Sequence, residues 1–103
     1  MYKIGIFIPA SHLELVKQAM FAAGAGRIGA YDCCAWQTLG QGQFRPLPGS
    51  QPFVGQQDTI ATVEEYRVEM VCADVNIKPV IAAMKQSHPY ETPAYDVCQL
   101  IDI

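Results

Sequence analysis

The sequence predicts an α+β domain, a split β-α-β repeat with four antiparallel strands and both helices on one face of the sheet. Three observations carry this. Apolar residues alternate with period two in residues 2–8 and 63–72, they recur at helical spacing from Leu13 and again from Ile77, and the segments follow one another as strand, helix, strand, strand, helix, strand. A chain of 103 residues, half of them apolar, holds one core and not two, so residues 1–103 form a single domain. The most economical fold for this order is the ferredoxin-like βαββαβ architecture.

In strand one, Ile4, Ile6 and Ile8 face one side and Lys3, Gly5 and Phe7 the other. Pro9 ends it. Ser11 and Glu14 make a capping box for helix one, whose apolar stripe is Leu13, Val16, Met20 and Ala23 and whose left-handed C-terminal cap is Gly24. His12 falls in the solvated first turn. The run Gly24-Ala25-Gly26-Arg27-Ile28-Gly29 follows a helix rather than a strand, so it reads as a turn and not as a phosphate-cradling loop. Residues 31–39, with Cys33, Cys34 and Trp36, are β-prone and give strand two.

Residues 40–62 carry four glycines, three prolines and five glutamines without a sustained period. That is loop chemistry, with Gln43-Phe44-Arg45 continuing the strand beyond a glycine bulge. Phe44 and Phe53 in so long a loop imply that it docks, on its own domain or on a neighbouring subunit. Strand three follows, with Tyr66, Val68, Met70 and Cys72 inward and Glu65, Arg67 and Glu69 outward. Asp74 or Asn76 caps helix two, Pro79 sits in its first turn, and Ile77, Val80, Ile81, Met84 and His88 follow its apolar stripe. His88 therefore starts from the core side. Residues 95–103 form the last strand, with both faces partly covered.

Composition excludes several classes. A net charge of −3, a pI near 5.1 and seven scattered Lys and Arg residues make no basic patch for nucleic acid. No apolar stretch approaches the ~18 residues of a membrane span, and Met1 is not followed by a basic and apolar leader, so a cytoplasmic protein is expected. Cys33, Cys34, Cys72 and Cys98 lie in apolar runs without a Cys-x-x-Cys pair, which reads as four reduced core thiols rather than a zinc site.

The richest chemistry lies in Ser87-His88-Pro89-Tyr90-Glu91-Thr92-Pro93-Ala94-Tyr95-Asp96. Pro89 disfavours helical geometry at His88, and Pro93 holds Thr92 extended. The result is a stiff connector presenting an imidazole, a carboxylate and two phenols.

Four motifs in order carry a family resemblance. They are Gly24-Ala25-Gly26-Arg27-Ile28-Gly29-Ala30-Tyr31, Gly40-x-Gly42-x-Phe44 with Pro52-x-x-Gly55, Val63-Glu64-Glu65-x-Arg67-x-Glu69, and His88-Pro89-Tyr90-Glu91-x-Pro93-Ala94-Tyr95-Asp96. Across nearly the whole chain they resemble the inserted middle domain of the YqfO branch of the NGG-interacting-factor-like proteins. The His88-Pro89-Tyr90-Glu91 segment is also similar to the end of the CutA family. The resemblance implies a PII-like, trimeric ferredoxin-like fold. The longer relatives carry a two-metal centre and a GTP cyclohydrolase type-two homologue label, but those metal ligands lie in flanking halves outside this domain, so the enzymatic label does not transfer. Cys33 stands where relatives more often carry a polar residue or histidine.

Two functional readings follow, and an enzyme is disfavoured. The chain lacks a nucleophile with a plausible base, a paired-carboxylate motif and a phosphate loop. The first reading is a homo-oligomeric binding or sensing module of the PII and CutA type. Its candidate ligand-binding residues are His88, Tyr90, Glu91, Tyr95, Glu65 and Glu69, with His88 and Glu91 as candidate ligands for a divalent zinc or copper ion. In a purely structural role, His88 closes a helix end while Glu91 pairs with Arg67 or accepts backbone N–H groups. The second reading is an assembly module that docks a protein partner through residues 40–62.

Overall fold

The structure is a computed structural model describing residues 1–103. Its elements are β1 (Tyr2–Pro9), α1 (Leu13–Ala22), β2 (Trp36–Phe44), β3 (Ala61–Cys72), α2 (Ile77–Ser87) and β4 (Tyr95–Gln99), with short 3-10 turns Ala10–His12 and Asp74–Asn76 leading into the two helices. The strands form one antiparallel sheet in the order β2-β3-β1-β4. This is the ferredoxin-like βαββαβ arrangement that the periodicities predict.

The core forms where the alternation of β1 and β3 meets the helical stripes. Ile4, Ile6 and Ile8 of β1 and Val68, Met70 and Cys72 of β3 pack with Leu13, Val16 and Met20 of α1 and Val80 and Met84 of α2. Removing this apolar surface from water is the main stabilising term. Opposite register places Lys3, Gly5 and Phe7 beside Glu65, Arg67, Glu69 and Val71 on the other face, which no helix covers. There the Arg67 guanidinium lies over the Phe7 ring, 5.2 Å from its centroid, and pairs with Asp96 at 3.7 Å and Glu69 at 3.9 Å. Gly5 makes this possible, because a Cβ there would meet Arg67 Nη2 at 2.6 Å and Asp96 Oδ1 at 2.8 Å.

Several local expectations are corrected. Strand two begins at Trp36, not at residue 31, because residues 31–35 fold back on the glycine run: Cys33 is left-handed at φ 55° and the Cys34 N–H donates to the Gly26 carbonyl at 2.8 Å. The strand then runs unbroken through Gly40 and Gly42 to Phe44, with no bulge. The capping box does not form. Ser11 lies in the 3-10 turn with its hydroxyl 2.8 Å from His12 Nδ1, and Glu14 pairs with Lys17 at 3.2 Å. Asn76 stands at the N-cap position of α2 but makes no side-chain cap bond, and Asp74 pairs with the N-terminal amine.

The last strand stops at Gln99, since Tyr2, the first residue of β1, is its final ladder partner; beyond it the Leu100 N–H still donates to the Met1 carbonyl, but residues 100–103 add no rung to the sheet. Three cysteines also leave the expected core. Cys72 alone is buried, Cys34 is half-buried, and Cys33 and Cys98 are exposed, the first in the folded-back segment and the second opposite Lys3 on the helix-free face. All four are free thiols. No helix is long and apolar enough to cross a membrane.

Candidate functional site

The β2–β3 pair extends past β1, since residues 61–64 of β3 pair with residues 41–44 of β2 only. This ribbon contributes to an elongated shape, 46 × 25 × 24 Å. Beside it the loop joining β2 to β3 folds against the connector that follows α2. The two meet through Glu91, whose carboxylate accepts the Gln51 backbone N–H at 2.8 Å. Between them lies a cleft of about 270 Å³, lined by Phe44, Pro52, Phe53 and Val54 from the β2–β3 side, Glu65 from β3, and Tyr90, Glu91, Thr92 and Ala94 from the connector.

His88 fixes the connector from beneath. It ends α2 in an extended conformation, as Pro89 dictates, with its ring on the core side and only 6 % exposed. The Tyr90 backbone N–H donates to His88 Nδ1 at 3.1 Å, which places the proton on Nε2, and Nε2–H donates to the Phe7 carbonyl at 2.8 Å. Burial pushes the imidazole pKa down, against the opposing pull of the Phe7 carbonyl and the Glu65 charge and with a smaller push from His12. His88 is a neutral clamp between the end of α2 and the central strand.

Tyr90 then stands over the cleft. Its hydroxyl donates to Glu65 Oε2 at 2.7 Å, and desolvation together with this carboxylate pushes the phenol well above its ordinary pKa, so it stays a donor. The Tyr90 ring lies 6.4 Å from Phe44 and 6.3 Å from Phe53, tilted by 52° and 48°, within the range of favourable aromatic pairs. Behind them His12 meets Phe53 edge-on at 5.4 Å, so it packs on the loop rather than standing in solvent. Gly42 leaves the space that the Glu65 carboxylate occupies.

Of the residues singled out in the sequence, the fold brings Glu65, Tyr90 and Glu91 into the cleft, with His88 directly behind Tyr90. Tyr95 and Glu69 lie elsewhere. Tyr95 pairs with Ile6 on the helix face and lies under the Lys85 ammonium, and Glu69 bonds Lys3 and Arg67 on the opposite face. His88 and Glu91, the candidate zinc or copper ligands, are each engaged within the chain. Both His88 ring nitrogens are engaged within the chain, Glu91 holds Gln51, and no group of three His, Cys, Asp or Glu side chains gathers that could hold a metal ion. Within one chain these donors fall short of the three or four ligands that a firm zinc site uses. The reach of Phe44 and Phe53 into this site was signalled by aromatics in a long loop; the parts taken by Gln51 and Val54 had no such signal.

The fold is that of a PII/CutA-like domain. CutA from Xylella fastidiosa superposes with a TM-score of 0.70 at 18 % identity, covering 99 % of this chain and 86 % of that one. Bacillus subtilis GlnK superposes with a TM-score of 0.63 at 15 % identity, covering 96 % and 83 %. A Bacillus cereus protein related to NIF3 gives a TM-score of 0.84 at 38 % identity, covering 98 % of this chain and 26 % of that protein. In sequence, the chain is 42 % identical over 100 residues to the GTP cyclohydrolase 1 type 2 homolog of Halalkalibacterium halodurans, covering 97 % of this chain and 27 % of that protein. No family model matches. The chain is a version of the PII/CutA-like domain carried by the NIF3/YqfO family, and it spans about a quarter of the length of the curated relatives it matches.

Proposed function

We propose that this chain is a non-catalytic binding and sensing module of the PII/CutA type, which assembles as a homotrimer and holds a small ligand in the cleft between the β2–β3 loop and the connector. The observation that carries the reading is the cleft itself. Its walls come from parts of the chain far apart in sequence, and Glu91–Gln51 and Tyr90–Glu65 hold them in register. Preformed concave sites with a few fixed polar groups are where small ligands bind. Assembly is supported by the sheet face without helices, which leaves Trp36 61 % exposed and Phe7 and Val71 half-covered. The GTP cyclohydrolase label of the longer relatives stays with them, since this chain matches a quarter of their length.

Two measurements test this. Light scattering at micromolar concentration is expected to give about three times the 11.3 kDa chain mass; a stable monomer would remove the assembly claim. Saturation-transfer NMR with a panel of small amines, carboxylates, nucleotides and sugars is expected to find at least one class whose signal is lost in Phe53→Ala. A panel that gives no signal with the wild type would remove the ligand claim. A protein-docking role for the loop is favoured by Leu47 and Ile60, exposed at 56 % and 60 %, and it predicts capture of a partner that is lost when residues 47–60 are deleted.

A further inference from the structure

The ligand class follows from what lines the cleft, given its reading as a ligand site. Three aromatic rings, Phe44, Phe53 and Tyr90, share its lining with the carboxylates of Glu65 and Glu91, while no Lys, Arg or His side chain lines it. Arg67, on the same face of β3 as Glu65, is held on Phe7, Glu69 and Asp96. We propose that the cleft is a receptor for a small organic ammonium compound, with the charged nitrogen against the Glu65 and Glu91 carboxylates and the apolar body among the three rings.

The chemistry favours a cation on three counts. Aromatic faces attract ammonium groups through the ring quadrupole, and rings tilted around one space leave faces that stacked rings would hide. The hydrogen bonds of Glu65 and Glu91 leave acceptor capacity unused, because Glu65 takes Tyr90 on Oε2 while Glu91 takes one backbone N–H. An anionic ligand meets the reverse situation. A phosphate or carboxylate placed here faces two negative charges with no cation in the lining to offset them, in a chain already at −3. The cleft is also small, about 270 Å³, which suits a one-ring or short-chain amine better than a nucleotide.

The probes are phenethylamine and benzyltrimethylammonium, with phenylacetate as an anionic counterpart of matching bulk, each titrated calorimetrically into the full chain at neutral pH and low salt. Both cations are expected to bind and phenylacetate is not. Affinity is expected to fall by about tenfold in Glu65→Gln and in Phe53→Ala, and to weaken with salt. Gln at position 65 still accepts the Tyr90 hydroxyl, and Glu91→Gln, which still accepts the Gln51 N–H, gives the same test should the first variant fold poorly. Phenylacetate binding as well as phenethylamine, or cation binding untouched by both carboxamide variants, would overturn the proposal. If neither cation binds while a neutral or anionic compound of the wider panel does, the ammonium class falls and the ligand site stands. If nothing binds, both fall.

Discussion

Replacing His88 by alanine removes the clamp between α2, the connector and β1, and its effect can be worked from the geometry. Two neutral hydrogen bonds are lost, Nε2–H to the Phe7 carbonyl and the Tyr90 N–H to Nδ1, at about 1 kcal/mol each. The ring is only 6 % exposed, so truncation also opens a void, adding about 1–2 kcal/mol. The sum is roughly 3–4 kcal/mol. For 103 residues the unfolding entropy is about 0.2 kcal/mol/K, so the melting temperature should fall by roughly 15 °C. Circular-dichroism melts at matched protomer concentration measure this, because assembly makes the midpoint concentration-dependent. His88→Gln can keep a donor near the Phe7 carbonyl while losing the acceptor for Tyr90, and it should fall between wild type and alanine. An alanine variant within about 0.5 kcal/mol of wild type would refute the clamp.

Three further outcomes are expected. The unfolded imidazole takes its proton near pH 6.5, but the folded His88 does so only at lower pH. Between those two values the unfolded chain binds more protons, so stability present above about pH 6.5 declines as pH falls through that window and levels off below the folded pKa. Denaturant titrations at stepped pH should show this in wild type and less of it in His88→Gln; identical profiles would contradict it. A Cβ at Gly42 meets the Glu65 carboxylate, so Gly42→Ala should push Glu65 off Tyr90 and destabilise by about 1 kcal/mol, as should Tyr90→Phe. The double variant should lose less than the sum, and full additivity would show that the two residues are independent. A thiol reagent should modify Cys33 fast and Cys72 slowest, since Cys72 is buried and its pKa is pushed up; equal rates would argue against this burial.

How much the sequence discloses depends on where the determining contact lies. The alternation of Ile4, Ile6 and Ile8 and the stripe from Val80 through Met84 to His88 are local signals, and both gave the right face. Strand two starts later than its local propensity suggests for the same reason in reverse. Residues 40–44 have poor strand propensity, yet they pair with residues 61–65 of β3, and cross-strand partners outweigh propensity there. Residues 31–35 look β-prone, but the Cys34 N–H donates to the Gly26 carbonyl and Tyr31 exchanges backbone hydrogen bonds with Ile28. At the site, both structural alternatives for Glu91 were visible, and the backbone one is realised through Gln51, forty positions away; Arg67 is taken by Asp96 and Glu69 instead. The His88–Phe7 bond spans 81 positions, and no local pattern encodes it.

The outer strand β4 lies beside β1 with Gln99 opposite Tyr2, and the Leu100 N–H donates to the Met1 carbonyl at 2.9 Å. The two ends of the domain therefore leave from neighbouring points on one edge of the fold. A unit built this way can be set into a surface turn of a host protein with little added loop-closure entropy, since the host need hold only two nearby strand ends. The same geometry makes it removable, because excising it leaves a gap that a short turn can span. A domain that occupies 26–27 % of its longer relatives can in this way be gained, lost or exchanged without refolding what surrounds it. Joining residues 1 and 99 through a short linker and opening the chain within residues 47–58 should give a circular permutant with the same sheet.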